Sequence, residues 1–381
     1  MPLSEVLYQD EAQERLQRAF RVGRMAHAYL FAGPSGVGKE MLAARLAAVL
    51  LCAEPVEVPA PTGAIGSSPT WRDACGRCVD CRLLAAGNHP DLHRIHRILG
   101  KMHPDKEVRN RKATVLGVDV IRHFLIEKMG LRPSRDRAKV FIICEAERMN
   151  EEAQNAMLKT LEEPPEHSYI ILLATSADVL LPTTRSRCQL VTFRSLPVEF
   201  VAERLEQERG LKPGDARFLA ELARGSVGLA LQGADAKLHQ LVPGVLEAMM
   251  RAAKDPLGCG KSLLEMANEL AEYYKEREQE DDEESVDTNA ARSGQVAVLS
   301  VVSTILRDVL RAAAGAEPVA TSDRVAVRAL AGGAGAEAIG KAVKAMAAAE
   351  YQIARSANTS LIFDGVGIAV GQALSMSSAR R

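Results

Sequence analysis

The chain has 381 residues, 47% of them apolar and 25% charged, with a formal net charge of −1. That length predicts two or three domains, and the balance of apolar and charged residues excludes wholesale disorder. Near-zero net charge and only 4% aromatic residues exclude a global attraction to nucleic acid and a dedicated base-stacking surface, so any such contact must be a local patch.

The opening MPLSEVLYQDEAQERL has no positive start followed by an apolar core. No apolar run reaches the ~18–20 residues of a membrane span. Neither a secretory signal nor a membrane segment is expected, and a cytoplasmic location follows. Ala28–Ala32 (AYLFA) is a short apolar run that predicts a buried parallel strand, and Lys39–Leu51 (KEMLAARLAAVLL) is apolar at helical spacing. Residues 139–144 (KVFIIC) and 169–175 (YIILLAT) predict two more strands, with a helix at 150–163 between them, stopped by Pro164 and Pro165. Strands alternating with helices predict a parallel sheet covered on both faces. From Pro197 onward strand signals vanish and the segments read as Ala-rich helices, 336–357 among them. Residues 53–71, with four prolines and no helical period, read as a loop or insertion. The nearly unbroken acidic run at 276–284 reads as a solvated, mobile linker.

Gly33-Pro34-Ser35-Gly36-Val37-Gly38-Lys39 follows a predicted strand and opens a predicted helix, the context a phosphate loop requires. Its glycines let backbone N–H groups approach phosphate oxygens, and Lys39 would reach the β- and γ-phosphates. The next position should carry a Ser or Thr hydroxyl for Mg²⁺, but it is Glu40. The strand that should end in a metal-anchoring Asp has Cys144, followed by Glu145. Both usual anchors are replaced. Independent ATP hydrolysis is not expected, and binding of ATP or ADP is left open.

Seven cysteines, an odd number in a chain without an export signal, read first as metal ligands rather than disulfides. Cys52, Cys75, Cys78 and Cys81 form C-x22-C-x2-C-x2-C, a set suited to tetrahedral Zn²⁺ with no open position, hence structural. His89, His93, His96 and His103 are loosely spaced and read as solvent-exposed. Cys144, Cys188 and Cys259 read as ordinary buried small residues.

HAYLFAGPSGVGK (27–39), the four-cysteine module, GNHPDLHRI (87–95), GVDVIR (117–122), NAMLKTLEEPPEHSYIILLAT (155–175) and LLPTTRSRCQ (180–189) together resemble the clamp-loader ATPase subunits of bacterial DNA polymerase III, within the AAA+ superfamily. The resemblance is strong over roughly the first 230 residues and weaker to ARSANTSLIFD (354–364). It implies an AAA+ phosphate-loop α/β domain at 1–195 with a zinc module at 52–81, a helical lid at 196–240, and an all-α collar for oligomerisation at 241–381 carrying the acidic insertion near 276–287. The motor members, gamma and tau, keep the Ser/Thr after the Lys, the acidic pair on the strand, and a lid Arg where this chain has Gly228. The three losses resemble the delta-prime branch. That branch is a stator which helps to open the sliding clamp and load it on primed DNA within the DNA-directed DNA polymerase holoenzyme, beside gamma/tau and delta subunits. There Ser186-Arg187-Cys188 implies a finger, Arg187, aimed at a neighbour's ATP.

Two rivals remain open: a motor subunit that tolerates Glu40, and a zinc-dependent DNA-binding module with a vestigial loop. Arg94, Arg97, Lys101, Arg109, Arg111 and Lys112 could form a phosphate-contact patch, but interruption by Gly, Pro and acidic residues reads better as a mobile basic loop.

Overall fold

The computed structural model describes residues 3–61, 68–111, 113–278, 283–321, 323–332, 334–355 and 357–375. The chain forms two compact units, Met1–Ser195 and Leu196–Arg381. Among the described residues no helix is long and apolar enough to cross a membrane.

In the first unit the strands are β1 (Ala28–Ala32), β2 (Val56–Pro59), β3 (Thr70–Asp73), β4 (Leu92–Ile95), β5 (Lys139–Ile143), β6 (Ser168–Ala174) and β7 (Gln189–Thr192). Five form one parallel sheet in the order β4-β5-β6-β1-β7. Every residue of β1 and β5 is buried, as continuous apolar runs must be when helices cover both faces. Alternation divides them: Leu30, Phe141, Ile143, Ile170 and Leu172 join the core beneath the helix Glu151–Glu162, while Tyr29 and Phe31 point to the opposite face, where Phe31 packs on Phe193. The helix Glu151–Glu162 starts where the Asn150 side chain accepts the Ala153 N–H, buries Ala153, Met157 and Leu161, and stops before the two prolines. The predicted strands and helices recur within one residue at most ends, the range over which ends fray.

Residues 53–71 depart from the expected loop. Residues 62–67 lie outside the described residues, but their flanks β2 and β3 pair antiparallel. The signal is short and masked by prolines; the strands are held by tertiary bonds. The Asp73 carboxylate accepts the Leu3 N–H at 2.8 Å, and the Gln17 side chain bonds both backbone groups of Arg72.

The second unit is helical throughout its described residues, from Val198–Arg209 to Thr359–Ser375. Its helices approach closely: a Cβ on Gly367 would stand 2.0 Å from the Pro256 carbonyl oxygen, so only glycine fits. The Asp308 carboxylate is fully buried and accepts N–H bonds from Val319, Ala320 and Thr321. The acidic run is not wholly a linker. The helix Pro256–Glu278 runs into it and Glu283–Ala313 starts inside it, while residues 279–282 lie outside the described residues.

Candidate functional site

The phosphate loop leaves the carboxyl end of β1, the edge at which parallel sheets bind ligands, and enters the helix α2 (Lys39–Leu51), which follows α1 (Asp10–Arg21) in the chain. Gly33 lies against the chain after β7: a Cβ there would be 2.4 Å from the Phe193 carbonyl oxygen. Gly38 takes a left-handed conformation, φ 102°, to open α2. Buried Gln9 donates to the carbonyls of Val37 and Arg194 and so ties the loop to the chain after β7. Ser35, Gly36, Lys39, Glu40, Cys144, Glu145 and Glu147 line an open cleft of about 330 Å³.

The cleft's side chains are occupied by one another. Lys39 Nζ donates to the carbonyl oxygens of Gly33 at 2.5 Å and Pro34 at 2.6 Å. Burial holds its ammonium below the usual lysine range, and Glu147 opposes that shift. Arg94 from β4 pairs with Glu40 at 2.9 Å. Glu145, at φ 55°, pairs with Arg97 and with Arg148, each at 3.3 Å. The Cys144 thiol is pushed up to about 11, first by burial and then by Glu40 and Glu145. Neither a neutral hydroxyl nor a free carboxylate stands where Mg²⁺ needs one, so this donor set does not fit Mg²⁺–nucleotide.

These pairs also correct the reading of the basic residues. Arg94 and Arg97 are cleft counter-ions. Arg97 also bonds the Ala113 carbonyl, Arg109 bonds those of His103 and Pro104, and Arg111 pairs with Asp119 at 2.6 Å. Helical turns at Arg97–Met102 and Lys106–Arg109 order the segment instead of a loop; Lys112 lies outside the described residues. The sequence carried no signal for these roles, because the partners are 48 and 54 positions away.

The four cysteines converge. Cys52 caps the C-terminus of α2, Cys75 follows β3, Cys78 caps the helix α3 (Val79–Ala85), and Cys81 lies in its first turn. Their Sγ atoms all lie within 4.8 Å of one another. Cys52 is 3.6 Å from Cys75 and Cys81 and 3.9 Å from Cys78; Cys75 is 3.9 Å from Cys81. A tetrahedron with Zn–S of about 2.3 Å has edges of about 3.8 Å, so the set could hold a metal ion of that size. Backbone N–H groups of Cys75, Cys78 and Cys81 point at the sulfurs of Cys52, Cys75 and Cys78, as thiolates require. Backbone N–H groups of Arg77 and Cys78 draw the Cys75 thiol down to about 6, whereas burial raises Cys81.

His89 is buried, not exposed: its Nδ1 accepts the Asp91 N–H and its Nε2 lies 3.5 Å from Asp80. Asp80 sits inside the cysteine knuckle and also pairs with Arg135 at 2.7 Å. His93 stacks on Phe141 with ring centroids 4.7 Å apart. His96 and His103 are half-buried. Strand β4 and the turn before it draw His89 and His93 inward, which spacing alone could not show. Cys144 and Cys188 are only half-buried; Cys259 is buried.

Arg187 follows the short helix Pro182–Arg185 and precedes β7. Its guanidinium pairs with Glu162 at the end of the helix Glu151–Glu162 and donates to the Thr183 carbonyl at 2.9 Å. It is part-exposed, and it is not among the residues lining the cleft. In the second unit, Ser226 caps the helix Val227–Asp235 through the Leu229 N–H, and Gly228 sits in its first turn without a side chain.

The family described as "DNA polymerase III, delta subunit" matches residues 8–197. Over these residues the chain is similar to that family, and the match supports a clamp-loader AAA+ subunit. Among curated relatives, the DNA polymerase III subunit delta′ of Pseudomonas aeruginosa is 35% identical over 244 residues, 61% of this chain and 64% of that one. The delta′ subunit of Escherichia coli K12 is 31% identical over 218 residues, 57% of each chain. The tau subunit of the same organism is 33% identical over 237 residues, 61% of this chain and 32% of that one. The match thus spans less than two thirds of each relative's length.

Proposed function

We propose that this chain is a delta-prime-type subunit of a DNA polymerase III clamp loader, a stator that lends Arg187 to a neighbouring motor subunit and does not itself turn over ATP. One observation carries the reading: a phosphate loop of full length opens on a cleft whose metal-anchor positions are Glu40 and Cys144, while Arg187 is kept outside it. A finger aimed at its own cleft would have no metal-bound phosphate to act on. In a neighbour's site the guanidinium would stabilise charge on the transferring γ-phosphate.

Within this reading residues 1–195 are the AAA+ domain, 196–240 the lid and 241–381 the collar that joins the ring. Cys52, Cys75, Cys78 and Cys81 hold one Zn²⁺, which cross-links the end of α2 to the knuckle and, with four protein ligands, takes no part in chemistry. The partners are gamma/tau and delta subunits, and through them the sliding clamp and primed DNA.

The similarity to tau, as high as that to delta′, favours one alternative, a motor subunit. Co-purification with candidate clamp-loader subunits, followed by ATPase assays with and without this chain, separates the two. The stator reading expects no turnover by the chain alone and a loader almost indifferent to Lys39→Ala. Robust hydrolysis abolished by Lys39→Ala would make the chain a motor.

A further inference from the structure

The two carboxylates at the metal-anchor positions of the phosphate-loop cleft, Glu40 and Glu145, have their counter-charges within the chain. Lys39 spends two of its three ammonium donors on the carbonyls of Gly33 and Pro34. Glu147, which acts on Lys39, has a buried Oε2 with no hydrogen-bond partner, so its charge is left to the lysine. Arg94 neutralises Glu40, and Arg97 and Arg148 neutralise Glu145. These pairs run from the start of α2 to β4 and from the helical turn after β4 to the turn after β5. A motor subunit would span that gap with Mg²⁺ and phosphate.

We propose that the Arg94–Glu40 and Arg97–Glu145 ion pairs take over the bridging role of Mg²⁺–nucleotide, closing this phosphate loop to ATP and ADP. Two features make the closure specific. A polyphosphate entering the cleft would meet the Glu40 carboxylate at the first turn of α2, where an incoming anion would otherwise be favoured. A divalent cation entering with it would have to displace an arginine from each anchor carboxylate, and at the adjoining strand end it would find the Cys144 thiol where the anchoring carboxylate should stand, with Glu147 the remaining acidic group of the lining. Exclusion therefore rests on residues that replace the ligand: the loop itself keeps its glycine-dependent approach to Phe193 at Gly33, its left-handed turn into α2 at Gly38, and the tie from Gln9 to the Val37 carbonyl.

The inference deepens the stator reading, but its test needs only the purified full-length chain, so clamp loading does not enter the outcome. The probes are ATP and ADP, each with and without Mg²⁺, titrated by calorimetry and by the rise in melting temperature that binding to the native state imposes. The wild type is expected to give no saturable binding and no shift. Glu40→Thr/Cys144→Asp, which restores both anchors and frees Arg94, is expected to bind Mg²⁺–ADP at least about tenfold more tightly than wild type. Should the double variant not fold, Glu40→Thr alone carries the same comparison. Saturable binding by the wild type overturns the proposal. So does a folded variant, with a wild-type circular dichroism spectrum and melting temperature, that gains nothing.

Discussion

Replacing Arg187 by alanine sets a small structural cost against a large catalytic one. The guanidinium pairs with Glu162, the two side chains being 32% and 49% exposed, and donates one bond to the Thr183 carbonyl. Pairs this exposed contribute about 0–1 kcal/mol, and one such hydrogen bond adds about 0.5–1.5 kcal/mol. Arg187→Ala should therefore cost the fold about 1–2 kcal/mol, well inside the 5–15 kcal/mol of a typical domain. An arginine finger contributes about 10³–10⁵ in rate at the site it completes, or about 4–7 kcal/mol of barrier. The variant should fold and assemble, ATP turnover by the ring should fall by the share of sites that this subunit serves, and clamp loading should fall further because opening needs coordinated sites. The assay is steady-state ATPase and loading on primed DNA by reconstituted rings, with gel filtration for assembly. Glu162→Gln is the control: it breaks the same ion pair, keeps the guanidinium, and should leave turnover unchanged. If Arg187→Ala rings assemble and both rates match wild type, Arg187 is not a finger in trans.

Purified protein should contain about one Zn²⁺ per chain, and Cys78→Ser should lower both metal content and melting temperature; freshly reduced protein without bound metal would sink the four-cysteine site. Burial holds His93 down to about 4 against an ordinary 6.5, so the unfolded chain takes up the proton first as pH falls. Stability should be flat at neutral pH and decline between about 6.5 and 4. His93→Phe, which keeps the stack on Phe141, should flatten that decline in urea titrations, and an unchanged slope would refute the assignment. Asp308→Ala strands the buried N–H groups of Ala320 and Thr321 at about 1–3 kcal/mol each, and the part-buried N–H of Val319. It should destabilise by at least about 2 kcal/mol in chemical denaturation, and a loss below about 1 kcal/mol would show that those groups find other acceptors.

Elements whose signal is local can be read from the residues alone. AYLFA, KVFII and the strand after the double proline are legible because a strand buried on both faces must be apolar at every position. The phosphate loop is legible because its backbone needs glycines at fixed offsets, and the knuckle because two-residue spacing suits thiolates on one ion. The losses at Glu40 and Cys144 were equally plain, since each is an identity at a fixed place. What those losses became depends on which strands the fold sets side by side. Strand order sets β4 beside β5, and that neighbourhood delivers Arg94 to Glu40 and Arg97 to Glu145 across separations that no periodicity encodes. The same holds for His89, placed in the interior beside Asp80, and for β2 and β3, whose prolines disguise a hairpin held by Leu3 and Gln17. A charged residue looks alike in sequence whether it faces water or a counter-ion; which it does depends on the neighbour that folding brings within reach.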